Sequence, residues 1–85
     1  MTEKPRTDGE RLTAARMATG QSATVVEIKG GQGLVNRLDA LGIRPGKRIT
    51  KVSAAFMHGP VVVRVDRAEV AIGFGMARKI AVQPD

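Results

Sequence analysis

Cysteine is absent from the sequence, and so are tryptophan and tyrosine. Without thiols there is no disulfide framework, no thiolate zinc centre and no cysteine nucleophile. Phe56 and Phe74 are the only phenylalanines, so the core has to come from valine, isoleucine, leucine, alanine and methionine. The same scarcity argues against reading single-stranded RNA, which stacks bases on aromatic side chains. No apolar run approaches the roughly 18 residues that a membrane-spanning helix needs. The opening "MTEKPRTDGERLTAAR" lacks the apolar centre of a secretory signal. The expectation is a cytoplasmic protein.

Catalytic groupings are missing as well. His58 is the single histidine, set in a "MHGP" turn. Metal sites bring together about four ligands, whereas the acidic residues beyond position 16 are scattered along the chain. Ser22 and Ser53 have no histidine–carboxylate partners to activate them. The "GGQG" segment is followed by Leu34 and Val35, not by the Lys-Ser/Thr pair of a phosphate-binding loop. No catalytic residue, no metal site and no cofactor is expected, and independent enzymatic activity is disfavoured.

What remains is a short basic chain. Its 85 residues suit one domain, and its formal net charge is +6. Residues 1–11 are polar, contain Pro5 and Gly9, and read as a disordered leader; the domain proper is placed at 12–85. Leu12 to Met17 reads as a helical turn or a short strand, packed through Leu12 and Met17. "GQSATVVEIKGG" reads as a strand with Thr24, Val26 and Ile28 on one face and Val25 and Glu27 on the other.

In "GLVNRLDALG", Leu34, Leu38 and Leu41 follow helical spacing. Gly42 suits a left-handed helix stop with Ile43 packing back on Leu38. Pro45-Gly46 suits the centre of a type II turn from Arg44 to Lys47. "KRITKVSAAF" reads as a strand, but Ile49 and Val52 stand three apart, which predicts a bulge. "VVVRV" alternates strictly. "DRAE" reads as a turn, "VAI" as a short strand, "GFGMARK" as a single helical turn and "IAV" as a closing strand. About five short strands and one inserted helix predict a mainly β fold, a small closed barrel without exposed sheet edges.

A basic surface calls for an acidic partner: nucleic acid, an anionic membrane, or an acidic protein face. Arg44, Lys47, Arg48 and Lys51 cluster in sequence around the Pro-Gly turn, and Arg64 follows on the next strand. They form either a docking patch or a merely solvated surface. Phe56 and Met57 at a hairpin tip are either barrel plugs or exposed contacts, while Phe74 and Met76 are assigned to the core. These seven residues, Arg44, Lys47, Arg48, Lys51, Phe56, Met57 and Arg64, are the candidates for partner binding.

Taken in order, "GQSATVVEIKGG", "RLDALGIRPGKRI", "GPVVVRV", "VAIG" and "MARKIAV" resemble the bacterial ferrous-iron-transport protein A (FeoA) family. The likeness runs from Leu12 to Val82. Its most specific parts are the "LGIRPG" turn, the Gly-Pro hairpin, and Ala77, Ile80 and Val82 of the closing segment. The resemblance implies an SH3-like β-barrel with a helix inserted between its first strands. It implies a non-enzymatic accessory to a FeoB-type permease, a membrane protein with a cytoplasmic GTP-binding domain. The protein would then reach the inner membrane only through this partner and bind no specific nucleic acid. The same module closes some metal-dependent repressors, but no helix-turn-helix precedes it here, so that use is not expected. Leu38, Leu41, Gly42, Pro45, Gly46, Gly59 and Pro60 carry the likeness as builders of the fold. The competing reading is a small basic RNA- or ribosome-binding barrel.

Overall fold

Helix α1 (Gln32–Ala40) stops where its sequence dictates. Gly42 takes φ +88°, which costs a glycine little and an L side chain more. The Gly42 N–H donates to Asp39 O at 2.9 Å and the Ile43 N–H to Leu38 O at 2.9 Å, the two bonds of a Schellman stop. Leu38 and Ile43 are both fully buried, each contributing about 1.5–3 kcal/mol of apolar transfer energy. Leu41 is not part of this contact. It caps the helix with φ −91° and ψ 1° and stays 37% exposed, because the turn hands the inward place to Ile43. The Lys47 N–H then closes the type II turn on Arg44 O at 3.0 Å, with Gly46 at φ +96°.

The computed structural model describes residues 12–85; the leader expected at 1–11 lies outside them. A 3₁₀ turn at Ala14–Arg16 comes first, then β1 (Ser22–Ile28), α1, β2 (Arg48–Ala54), β3 (Val61–Val65), β4 (Ala68–Ile72), α2 (Phe74–Ala77) and β5 (Ile80–Pro84). The strands form one antiparallel sheet in the order β4-β3-β2-β1-β5. The fold is mainly β with an inserted helix, as expected. The sheet is not closed, however: β4 and β5 are its edges, so the expected removal of edges does not occur. The outer side of β5 is covered, since Thr13 bridges Ala81 and the Val82 N–H donates to Leu12 O at 2.9 Å.

The core runs along the inner face, where Ala23 and Val25 of β1, Ile49 of β2, Val61, Val63 and Val65 of β3, Ile72 and Ile80 are buried. The alternation in β3 is as read from the sequence. In β1 it breaks, because the pairing with β5 shifts register between Val25 and Glu27. Val25 is buried and Val26 is 41% exposed, while Ile28 returns to the core as a half-buried neighbour. Thr24, Val26 and Ile28 therefore do not share one face. The bulge predicted in β2 falls between Lys51 and Ser53. Strand β4 starts at Ala68, earlier than read, because the turn needs only Asp66 and Arg67. Phe74 and Met76 are half-buried against the core, and Ala77 between them and β5 is fully buried.

Candidate functional site

The nominated partner-binding residues separate into three groups. The first is Lys51 alone. Ile49 points inward and a strand repeats every second residue, so Lys51 points inward too, before the bulge changes the phase. It is 2% exposed. Its ammonium donates to Ala14 O at 3.0 Å, Ala15 O at 2.9 Å and Met17 O at 2.9 Å. An ammonium has three N–H donors, and all are used. Burial holds the Lys51 pKa below the ordinary lysine value. The residue thus fastens the 3₁₀ turn to the sheet and is no docking residue, contrary to the expectation. The alternation from Ile49 was the signal for this; the neighbouring basic residues obscured it.

The second group is the exposed Arg44, Arg48 and Arg64 with the half-buried Lys47, each of which has a carboxylate partner. Arg44 donates to Asp39 at 3.0 Å, Lys47 to Asp66 at 2.8 Å and Arg64 to Glu69 at 2.7 Å. Arg48 donates through Nε to Asp85 Oδ2 at 2.9 Å and reaches the same oxygen through Nη2. That hydrogen bond and the attraction of Asp85 raise the Arg48 pKa, and the Arg48 hydrogen bond lowers that of Asp85. Such exposed pairs are screened by water and salt. They leave the surface around the Pro-Gly turn close to neutral pair by pair, not a continuous basic patch.

The third group is the β2–β3 hairpin tip. Phe56 is 91% exposed and Met57 86%, so neither plugs the fold. Their presentation is fixed by the backbone. Met57 and His58 have φ 59° and 63°, the Ala55 N–H donates to Pro60 O at 2.9 Å, and the Gly59 N–H to Phe56 O at 3.2 Å. A Cβ at Gly59 would lie 2.7 Å from the Ala55 Cβ, so the turn closes this tightly only with glycine. His58 stacks on Phe74 with ring centroids 4.3 Å apart and planes at 11°, tying the tip to α2. This stack was not foreseen. Neither ring has a sequence neighbour that hints at the other.

A further feature was also missed. The Lys29 N–H donates to Lys79 O at 2.7 Å, which sets Lys29, Arg78 and Lys79 at one end of β1 and β5. Among the described residues none of the three has an ion pair. The described residues also hold no group of three or more histidine, cysteine or acidic side chains placed to bind a metal. None of their helices is long and apolar enough to cross a membrane.

Comparison with known proteins follows this geometry closely. The Fe(2+) transport protein A of Methanocaldococcus jannaschii is 33% identical over 64 residues, covering 75% of this chain and 76% of that protein. A crystal structure of an iron uptake regulatory protein (FeoA) superposes with a TM-score of 0.80 at 28% identity, covering 87% of this chain and 96% of the other. The zinc complex of Stenotrophomonas maltophilia FeoA, described as a procaryotic SH3 domain protein, gives a TM-score of 0.73 at 21% identity, over 85% and 89% of the two chains. That last likeness concerns the fold alone, and it bears out the SH3-like reading. The match to the FeoA domain spans residues 12–84, from the segment held by Lys51 to the end of β5, and the chain belongs to the FeoA family.

Proposed function

We propose that this protein is a non-enzymatic accessory of ferrous iron transport that docks on the cytoplasmic GTP-binding part of a FeoB-type permease. Family membership and the archaeal relative's name support the transport role. The hairpin tip carries the docking. Phe56 and Met57 stand almost fully in water on a turn closed by the Ala55–Pro60 and Gly59–Phe56 backbone hydrogen bonds, and folding alone gives no reason to expose them. Aromatic residues and methionine are enriched at protein interfaces, and a preformed loop loses little conformational freedom on binding.

Docking would bias the permease only through a difference in affinity between its nucleotide states. No arginine finger is needed in this account: Arg44 and Arg64 are already engaged by Asp39 and Glu69. The RNA-binding alternative loses the nominated cations, which are paired or buried, and would have to rest on Lys29, Arg78 and Lys79.

The test is a titration of the full chain onto the detergent-solubilised permease, with GTP or GDP bound. The wild-type chain is expected to bind. The Phe56→Ser/Met57→Ser variant should bind at least about tenfold more weakly, the scale of losing one interface hot spot. Equal affinity for both would remove the tip from the interface. No binding in either nucleotide state would remove the permease.

A further inference from the structure

The two outer strands of the sheet differ in their cover. The edge of β5 is taken up by Leu12 and Thr13. The edge of β4 has no such cover among the described residues. The register says which groups it presents. Val65 pairs with Ala68 across a two-residue turn, which makes them a hydrogen-bonded pair. Alternation makes Val63–Val70 and Val61–Ile72 the next hydrogen-bonded pairs. The N–H and C=O groups of Glu69 and Ala71 therefore point away from β3. They have no partner among the described residues. Both residues are exposed.

A bare edge of this kind is a template for another strand. The β4 sequence AEVAI has no lysine or proline to blunt it. Its one charge, Glu69, is turned back onto Arg64 of its own chain. We infer that this edge pairs with the same edge of a second copy of the chain, antiparallel, about a two-fold axis at Val70. Glu69 of each copy then faces Ala71 of the other. Each facing pair exchanges both its N–H···O=C bonds, so every outward group is satisfied by its counterpart.

That self-complementarity favours a second copy over an unrelated strand, because a two-fold interface must present the same patch twice. Charge selects the same register. Centring on Glu69 would set the two glutamates opposite each other, which is unfavourable. Centring on Ala71 would call on Gly73, whose carbonyl already accepts from Met76 and Ala77. With Val70 at the axis, two half-buried valines meet at the close spacing of a non-hydrogen-bonded pair. The two sheets become one. Short strands make a small interface, so the dimer is concentration-dependent.

The experiment is sedimentation velocity of the full chain over a dilution series, with hydrogen exchange at the Glu69 and Ala71 amides. A dimer is expected at high concentration, and protection of both amides should rise with it. Ala71→Glu places a glutamate opposite Glu69 and should raise the dimer dissociation constant about fivefold; Ala71→Lys should lower it about as much. Ala71→Pro removes an outward donor without touching the β3 ladder and should leave a folded monomer. A wild-type chain that is monomeric at every concentration overturns the proposal. So does a dimer whose affinity moves in the same direction with glutamate and lysine at position 71. Protected amides in a monomer would mean that another part of the chain fills the edge, and would also overturn it.

Discussion

Lys51 and Phe56 lie five residues apart, on one strand and its hairpin, and each reverses the usual rule. The charged side chain is buried and the apolar one is exposed. The difference lies in what each touches. Lys51 is enclosed by three carbonyl oxygens that match its three donors, so its burial is compensated locally. Among the described residues nothing covers Phe56 and Met57. A compensated exception explains stability. An uncompensated one, presented on a hydrogen-bonded hairpin tip, calls for a partner.

Substitutions can break this contrast at either end, and the largest effect is expected at Lys51. Lys51→Met keeps the apolar stem but strips Ala14, Ala15 and Met17 of their donor. Leaving buried carbonyls unsatisfied should cost about 3 kcal/mol, read as a lower midpoint in urea unfolding. A loss under about 1 kcal/mol would mean that water replaces the ammonium easily. Gly42→Val comes next, at about 1–2 kcal/mol. The nearest atom to a Cβ there is Val65 Cγ1 at 3.6 Å, so the Cβ itself fits, and it is the φ of +88° that strains an L side chain; unchanged stability would contradict the left-handed stop. At the tip, Phe56→Ser/Met57→Ser should stay within about 0.5 kcal/mol of the wild type while permease binding falls. A large destabilisation would make the tip part of the fold and end the contrast.

The smallest effect concerns the exposed charges. The Arg48 hydrogen bond lowers the Asp85 pKa, so Asp85 should titrate below its ordinary 3.8 in an NMR pH series. Its contribution to stability is present above the unfolded-state pKa and is lost as pH falls through the folded one. Arg48→Met should return the midpoint toward 3.8. A midpoint indifferent to Arg48 would show that the pair does not persist in solution.

How much of this was legible in the sequence depends on the range of each interaction. The Schellman stop, the type II turn, the β2 bulge and the β3 alternation are set by neighbours a few residues away, and glycine, proline and β-branched spacing reveal them. The face of β1 was misread because its bulge at Val26 depends on pairing with β5, which no local pattern reports. The supposed basic patch dissolved for the same reason. Arg48 and Asp85 are 37 residues apart, and Lys47 and Asp66 are 19 apart; only strand register brings them together. Of the candidate site, Phe56 and Met57 stood out in the sequence as apolar residues at a hairpin tip. Whether they plug or protrude was decided by the positive φ angles and by the His58–Phe74 stack.

The covering of β5 by Leu12 and Thr13 also sets a timetable. Strands β1 and β5 are neighbours in the sheet although all the other elements from α1 to α2 separate them along the chain. During synthesis the Leu12–Met17 segment leaves the ribosome before the strands it joins, yet it must wait for Lys51 to fasten it and for Val82 to pair with it. The meander β2-β3-β4 consists of sequential hairpins and can form from contacts close in sequence. The β1–β5 ladder and its N-terminal cover cannot. Nonlocal closure of this kind is the slow part of folding a small β domain. Until β5 docks, the β1 edge it covers stands open to any other unfolded strand nearby.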